Sequence, residues 1–436
     1  MYLRGLILLA LATVSPATLH AELRAGTGAG DVTPPIGTPS AGYGDRRGAG
    51  MTGVHDRLLA SALALEDGGR RVVFVGVDHL GFDHDMVQRV VALAREDGAS
   101  ADTEIYLGSS HTHAGGGAYL DVPIVGEALA GKFDPAVREL YVRGAADAVR
   151  AALASLRPAR IGIGYGEATL NSYRGDWPPN VETNRQVTVL KVTSPEGAPL
   201  GVLFAYPAHA TVLSGANREF SADFVGYARE ALRRELGEST VAVYFNGAQG
   251  DVSPAPPSGG EPFERAQAMG DALAAETLRV WNATETADTL EIATLRHRYT
   301  LEVQPTSAGV LLPMPPRGSE LNLIVLGGAH AFLTVPGELS TIYDADLRRF
   351  AGWLGYQGLT ILGLTNDAHG YLVTPEAWRH RIYESTVSFG GELYGERFED
   401  LAQALLHALE PAGSYQEELK VPAGLLDAST TAHPNP

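Results

Sequence analysis

The alternation of apolar strand-like runs with helical segments is the strongest constraint on how this chain can fold. Buried-strand patterns such as Arg71–Asp78 and Glu104–Gly108 are followed by segments with helical apolar periodicity, and this order recurs along the chain. The pattern predicts an α/β fold, as one large catalytic domain of mixed β-sheets flanked by helices. Helices are expected at 86–96, 134–156, 224–236, 263–284, 340–352 and 398–408. Further strands are expected at 186–192, 200–205, 241–245, 290–303, 322–326, 331–335 and 360–364.

A pair of histidines, His111 and His113, directly follows one of these predicted strands. In an extended backbone, residues two apart point to the same side, so both imidazoles can address one point in a cavity. Neutral imidazole is a common zinc ligand and also the usual general acid or base near neutral pH. A single His-x-His pair equally fits a surface or structural role, so its meaning depends on the rest of the chain.

Four further segments with chemically useful side chains also come at the ends of predicted strands. They bring His209, Asp251 with Ser253, Glu338, and Asn366 with Tyr371, and they span 206–211, 246–254, 335–338 and 366–371. The first three have a structural alternative: a structural histidine, an ordinary Asp/Gly turn and, for Glu338, a carboxylate at a helix N-terminus that is stabilised by the dipole. Ligand sites in α/β proteins gather at strand ends, which favours one shared site.

The charge and cysteine content exclude several classes of function. The chain has 33 Lys and Arg against 51 Asp and Glu, a formal net charge of −18, without a basic block. Nucleic-acid binding is therefore excluded, and there is no polybasic patch for anionic lipid. There are no cysteines, which rules out disulfides and thiolate metal sites. Any zinc must bind to His, carboxylate or other oxygen ligands.

The two ends of the chain differ from the centre. Residues 1–21 are expected to be a signal peptide, with Arg4, an apolar run over 5–14 and a small residue at Ala21, although an apolar first strand is the alternative. The run is too short to span a bilayer. We therefore expect a secreted or periplasmic protein with a catalytic domain over 22–410. Residues 411–436 have no strong periodicity and are expected to form a C-terminal tail.

Taken together, the motifs resemble the catalytic domain of the neutral, non-lysosomal ceramidase family. The resemblance covers about residues 25–400, so it takes in nearly all of the chain after the expected signal peptide. The motifs that carry it are Ala25–Pro34, Gly42–Gly44, His111–His113, Gly250–Pro254, Val335–Glu338, Tyr371–Glu376 and Tyr383–Thr386. It implies a zinc-dependent amidohydrolase that cleaves the N-acyl amide bond of ceramide or a related N-acyl lipid.

The resemblance also implies roles for individual residues. One zinc ion per chain would be held by His111, His209, Glu338 and Tyr371. His113 would be the catalytic acid and base, with Ser253 and Tyr383 as further catalytic residues. Asp251, Asp223 and Asn366 are candidates to orient the ligands.

An arginine of the family's substrate pocket is matched to Arg174, with Arg185 as the alternative, because the family's Asn-Arg-Ser-Pro pattern is replaced here by Asn171–Asp176. The family's additional β-rich, immunoglobulin-like domain is not expected within these 436 residues. A zinc hydrolase of a non-ceramide amide or ester therefore stays open, as does a non-catalytic secreted binding protein. The expected partners are a lipid or small-molecule amide and, transiently, a membrane surface; no protein partner follows from the sequence.

Overall fold

The structure is a computed structural model that describes residues 22–122, 125–312, 316–411 and 431–432. The expected signal peptide, residues 1–21, lies outside the described residues. So does the expected tail over 411–436, apart from residue 411 and the short strand Thr431–Ala432. Among the helices of the described part, none is both long enough and apolar enough to cross a membrane.

All six helices expected from the sequence are present, with small changes at their ends. Two of them begin at clear caps: the Asp83 carboxylate accepts a hydrogen bond from the Met86 amide, and that of Asp134 accepts one from the Ala136 amide. The helices are α1 His84–Glu96, α2 Val125–Ala130, α3 Pro135–Ala154, α4 Phe224–Leu236, α5 Pro262–Ala283, α6 Thr341–Trp353, α7 Pro375–Arg379 and α8 Tyr394–Ala408. Short 3₁₀ helices span Gly44–Arg46 and Glu384–Val387.

Each expected strand is also found. The structure adds three long strands that the sequence analysis did not predict, Arg24–Asp31, Leu59–Asp67 and Arg160–Glu167, and several short ones. The longer ones are β1 Arg24–Asp31, β3 Leu59–Asp67, β4 Arg70–Val77, β5 Thr103–Ser109, β7 Arg160–Glu167, β9 Gln186–Thr193, β10 Pro199–Tyr206, β12 Val241–Asn246, β14 Ile292–Leu301, β15 Arg317–Leu326, β16 His330–Thr334 and β18 Gly358–Leu362. The short ones are β2 Gly53–Val54, β6 Arg157–Pro158, β8 Asn171–Tyr173, β11 Glu219–Phe220, β13 Val252–Pro254, β17 Glu338–Leu339, β19 Tyr371–Leu372 and β20 Thr431–Ala432.

Three larger sheets share one design. Their strand orders are β5-β4-β3-β1-β6, β12-β10-β9-β7 and β18-β16-β15-β14-β20. In each sheet the first two strands are parallel and the other neighbours are antiparallel. A helix lies between the two parallel strands in the chain, namely α1, α4 and α6. The expected α/β class with mixed sheets and flanking helices is confirmed.

Aromatic side chains join the three sheets in the core. Phe74 of β4 lies 6.1 Å from Phe245 of β12 and 6.0 Å from Phe332 of β16, measured between ring centroids. All three rings are fully buried, and they belong to one apolar cluster. Because these strands are the parallel ones, the packing also fixes where their carboxyl ends lie relative to each other. The segments that leave those ends form the site described next.

Candidate active site

His111 and His113 converge, but not for the reason that the sequence suggested. Strand β5 ends at Ser109, and His111 has a positive φ of 63°, so the backbone through the pair is not extended. The Ser110 and His111 amides donate to the carbonyls of Val77 and His79. The expectation of an extended His-x-His segment is therefore wrong, although the ring centroids are only 4.8 Å apart.

Two backbone carbonyls fix the orientation of His111 and His209. The Nδ1 atom of His111 lies 2.7 Å from the carbonyl oxygen of Leu80, and that of His209 lies 3.0 Å from the carbonyl oxygen of Val252. A carbonyl can only accept, so each Nδ1 carries the proton and donates it. In the neutral ring, Nε2 is then a free acceptor, as a metal ligand requires.

Glu338 lies between these two Nε2 atoms. Its Oε2 atom is 3.3 Å from Nε2 of His111 and 3.0 Å from Nε2 of His209, and all three side chains are buried. The expectation that Glu338 opens a helix is wrong. Residues 338–339 form β17, and α6 begins three residues later, after Ser340. The strand holds the carboxylate toward the histidines because Glu338 donates its own amide to the Gly370 carbonyl.

The Nε2 atoms of His111 and His209 and the carboxylate of Glu338 are all acceptors, so they need positive charge between them. With both Nδ1 atoms protonated, the neutral imidazoles turn lone pairs toward the carboxylate, so either extra protons or a cation must lie there. Burial lowers the pKa of His209 to about 4, with the charge of Arg174 adding to the effect, which disfavours the protonated ring. The nitrogen ligands of His111, His113 and His209 lie within 4.8 Å of one another, so a metal ion fits the cluster.

Tyr371 joins the cluster through a short parallel ladder. Strand β19 pairs with β17 so that Tyr371 lies directly opposite Glu338. The side chain is buried, and burial, followed by the charge of Glu338, raises its pKa well above the usual value. A phenolate at this position therefore needs a nearby cation. The geometry brings Tyr371 to the site and makes its ionisation depend on what binds there.

Arg174 is the arginine that lies in the site. Its Nη2 atom donates to the carbonyl of Gly250 at 2.9 Å and to the hydroxyl of Tyr371 at 3.1 Å, and it lies 3.2 Å from Nε2 of His209. The competing choice, Arg185, contributes its backbone carbonyl, which accepts the amide of Ala168. The geometry therefore favours Arg174 over Arg185 as the residue that contacts the cluster.

His113 differs from the other two histidines in its surroundings. Both ring nitrogens are buried, and neither has a hydrogen-bond partner among the described residues. The ring packs against the edge of Tyr43, at 4.7 Å between centroids, and against the bare Cα of Gly42. Burial, followed by the charges of His111 and His209, lowers its pKa well below the usual value. His113 is thus a neutral imidazole with both nitrogens uncommitted, beside the cluster.

Ser253 and Tyr383 lie at the edge of this arrangement. Ser253 is on β13, one residue beyond the Val252 carbonyl that holds His209. Tyr383 is 62 % exposed, and its ring centroid is 6.2 Å from that of Tyr371. Neither side chain makes a hydrogen bond to the described part of the chain. Their expected catalytic roles stay predictions.

The three candidates for orienting the ligands bind elsewhere. The Asp251 carboxylate accepts from the Ser340 hydroxyl and from the backbone and side chain of Thr341, so it caps α6. Asp223 accepts the amides of Leu213 and Phe224. Asn366 donates to the Ile105 carbonyl and accepts the Leu107 amide. These contacts fix the loops, and the expectation that the three side chains hold the ligands is wrong.

Besides Arg174, three groups form hydrogen bonds to the cluster, and they carry little sequence signal. Two are the carbonyls of Leu80 and Val252, which any residue could supply. The third is the Gln249 amide, whose Nε2 donates to Oε2 of Glu338 at 3.4 Å. Gln249 and Val252 both stand in the segment 246–254 that the sequence marks, but neither residue was singled out there.

A narrow cleft leads to the cluster. Its enclosed volume is about 10 Å³, room for about one water molecule. Its polar lining consists of Asp251, Glu338, Ser340, Tyr371, Thr374 and Glu384. The rest of the lining is mainly apolar, from Trp177, Pro178, Ile342, Val373, Ala377 and Ile382. The apolar side chains thus lie beside the carboxylate of Glu338 and the ring of Tyr371.

Comparison with known proteins gives a consistent result. Residues 23–261, more than half of the chain, match the family model described as neutral/alkaline non-lysosomal ceramidase, N-terminal. The neutral ceramidase of Drosophila melanogaster is 26% identical over 266 residues, which cover 54% of this chain and 36% of the relative. That of Pseudomonas aeruginosa is 27% identical over 219 residues, covering 46% of this chain and 32% of the relative. The matched stretch thus spans about a third of the length of these relatives.

Two solved structures have the same fold. The crystal structure of neutral ceramidase from Pseudomonas aeruginosa superposes with a TM-score of 0.80 at 20% identity, over 91% of this chain and 76% of that one. A structure described as ceramidase complexed with C2 superposes with a TM-score of 0.78 at 18% identity, over 94% and 78% of the two chains. At such identities the superpositions establish the shared fold.

Proposed function

This chain belongs to the neutral/alkaline non-lysosomal ceramidase family, and we propose that it is a zinc-dependent amidohydrolase that cleaves the N-acyl amide bond of ceramide or a related N-acyl lipid. The observation that carries the proposal is the meeting of two imidazole Nε2 atoms on one carboxylate oxygen. Tyr371 would complete the ligand set beside His111, His209 and Glu338. A bound zinc ion supplies Lewis-acid chemistry, since it lowers the pKa of a water molecule and polarises an amide carbonyl.

The protein's own groups would divide the remaining work. His113 is neutral and has both nitrogens uncommitted, so it can take a proton from the attacking water and pass it to the leaving amine. Arg174 presents positive charge beside Tyr371, where negative charge develops on the carbonyl oxygen. Tyr383 is the second proposed donor to that oxygen, and Ser253 the proposed polar contact for the substrate.

The cleft supports a substrate with an apolar chain. Six of its lining residues are apolar, and burying a methylene group stabilises a complex by about 0.8 kcal/mol. Its modest volume also favours a second candidate, a zinc hydrolase that acts on a smaller non-ceramide amide or ester. We further propose that residues 1–21 are a signal peptide and that the enzyme acts outside the cytoplasm.

The test is a chain-length series. Purified enzyme is given N-acyl sphingosines of increasing acyl length, beside short water-soluble N-acyl amino acids. For a lipid amidase, kcat/KM should rise by up to about fourfold per added carbon until the cleft is full. His113→Ala serves as the control for the site, and it should lose roughly 100-fold or more in rate on every substrate.

Two outcomes would contradict parts of the proposal. Flat rates across the lipids, with faster cleavage of the short amides, would exclude ceramide and leave the zinc amidohydrolase in place. Equal rates for the wild type and His113→Ala would remove the assigned acid and base.

A further inference from the structure

A buried carboxylate, Glu384, contacts Arg174, the arginine of the candidate site, through a different nitrogen from the one that contacts the cluster. It is only 3 % exposed and lies on the 3₁₀ helix that follows Tyr383. Its Oε1 atom accepts a hydrogen bond from Nε of Arg174 at 3.2 Å. In the described part of the chain, Glu384 makes no other hydrogen bond to a side chain. An unpaired carboxylate buried at this depth destabilises the folded state. The partner of Glu384 therefore indicates what the carboxylate does.

The contacts of Arg174 are divided between its nitrogens. All three contacts with the cluster and its loop, to Tyr371, His209 and the Gly250 carbonyl, are made by Nη2. Nε is used by Glu384 alone. The guanidinium group is planar and rigid, so a bond at Nε fixes the plane and with it the direction of the other nitrogens. Without that bond, the long side chain regains the rotamers that it loses on being held.

From this division we infer that Glu384 is a positioning residue, which acts on the reaction by holding Nη2 of Arg174 against the hydroxyl of Tyr371. The expected change in rate rests on the proposed function, whereas the expected effect of Glu384 on the position of Arg174 does not. Glu384 itself is not assigned a proton-transfer step or a contact with the metal. Its effect passes through Arg174, and that makes the inference testable by a double-mutant cycle.

The cycle compares Glu384→Ala, Arg174→Ala and the double variant by kcat/KM on the best amide substrate. A displacement of about 1 Å at a positioning group can cost up to roughly 100-fold, so Glu384→Ala should lose about 10- to 100-fold. In the Arg174→Ala background the same change should alter the rate by less than about twofold. Glu384→Gln keeps an oxygen that can accept from Nε, and it should recover most of the activity. Equal losses in both backgrounds would overturn the inference.

A matched control distinguishes the loss of the contact with Arg174 from the loss of one negative charge. Glu376 is an exposed carboxylate on α7 that pairs weakly with Arg379, at 4.0 Å, in the same part of the chain. Glu376→Ala removes the same charge without touching Arg174, and it should leave kcat/KM unchanged. Thermal unfolding of every variant shows whether a loss of rate accompanies a loss of fold.

A second measurement does not depend on the substrate. The ¹⁵Nε–¹H signal of Arg174, assigned by its disappearance in Arg174→Lys, should be protected from solvent exchange in the wild type. In Glu384→Ala it should exchange rapidly or vanish, and in Glu376→Ala it should stay. An unchanged signal in Glu384→Ala would overturn the inference even in an active enzyme. A wild type that cleaves no amide but gives the expected signals would refute the proposed function alone.

Discussion

At the scale of single residues, the three neighbouring histidines differ in what their ring nitrogens contact. His111 and His209 each donate from Nδ1 to a carbonyl and turn Nε2 toward Glu338, whereas His113 has no hydrogen-bond partner among the described residues. Second contacts of this kind are usual for metal ligands, because they fix the tautomer and the direction of the ring. The difference divides the three into two proposed ligands and one proposed acid and base.

Metal content should follow this division. The wild type should bind about one zinc ion per chain, and His111→Ala or His209→Ala should each lose most of it, because each removes a ligand that Glu338 alone cannot replace. His113→Ala should keep the metal, as should the control His407→Ala, whose ring lies on α8 beside Glu410. The measurement is zinc per chain after dialysis. Full occupancy in both ligand variants would reject the cluster, and loss in His113→Ala would make His113 a ligand.

Gly42 should matter because it leaves room for the ring of His113. A Cβ atom at this position would lie 2.5 Å from Nδ1 of His113, so Gly42→Ala must displace the ring. We expect a loss of about 10- to 100-fold in kcat/KM with zinc content unchanged. Gly37 is a close control, since it has the same φ of 96° and a Cβ atom added there would meet nothing within 4 Å. Both variants bear the same backbone cost, of about 1–2 kcal/mol, but Gly37→Ala should keep its activity.

At the scale of elements, the loops around the site are held by buried carboxylates at helix ends. Asp251 accepts three hydrogen bonds at the start of α6, and Asp223 caps α4 while binding the amide of Leu213. The sequence suggested both as partners of the ligands. They instead fix the segments that carry the ligands. Residue type and spacing cannot show whether a side chain contacts a ligand directly or fixes the segment that carries it.

Asp223 should make the stability of the fold depend on pH in an unusual direction. Burial raises its pKa from 3.8 to about 6, against the opposing effect of its backbone hydrogen bonds. The folded state therefore binds this proton more tightly than the unfolded state, and the free energy of unfolding falls as pH rises from about 4 to above 6. The fall is at most about 3 kcal/mol.

Asp223→Asn tests this because an amide cannot ionise. The difference in unfolding free energy between wild type and variant should shift in favour of the variant as pH rises from 4 to 7. Any cost of the weaker cap is the same at each pH and does not alter the slope. A difference that stays constant, or that shifts toward the wild type, would show that Asp223 is ionised in the fold with an ordinary or lowered pKa.

At the scale of the whole molecule, most of the elements were predictable and their meeting point was not. Apolar periodicity located the six longer helices and nine of the twelve longer strands, because a one-sided apolar pattern follows directly from burial on one face. The strands β1, β3 and β7 and the short helices α2 and α7 were missed. It could not show that β4 pairs with β5, β10 with β12 and β16 with β18, since these contacts join distant segments. The two-residue strands β17 and β19 are too short to leave any periodic pattern.

The site, too, has parts that the sequence identified and parts that it missed. His111, His209, Glu338, Tyr371 and Arg174 were identified from motifs, and the structure brings them together. The positive φ of His111 was missed because it depends on the hydrogen bonds of the segment after β5, not on the residue itself. Carbonyl contacts were missed because every residue carries a carbonyl.

The order of these residues along the chain also sets the order in which the proposed ligands are synthesised. Tyr371, opposite Glu338 in the β17–β19 ladder, leaves the ribosome about 160 residues after His209. At about 5–20 residues per second this interval lasts roughly 10–30 s. Throughout it, the nascent polypeptide holds the imidazoles without the phenol, and until Glu338 follows, 129 residues after His209, it also lacks the carboxylate. For the proposed zinc ion, tight binding must wait until the β17–β19 pair has formed, so loading with metal reports that synthesis has passed Tyr371 and that this pair has folded.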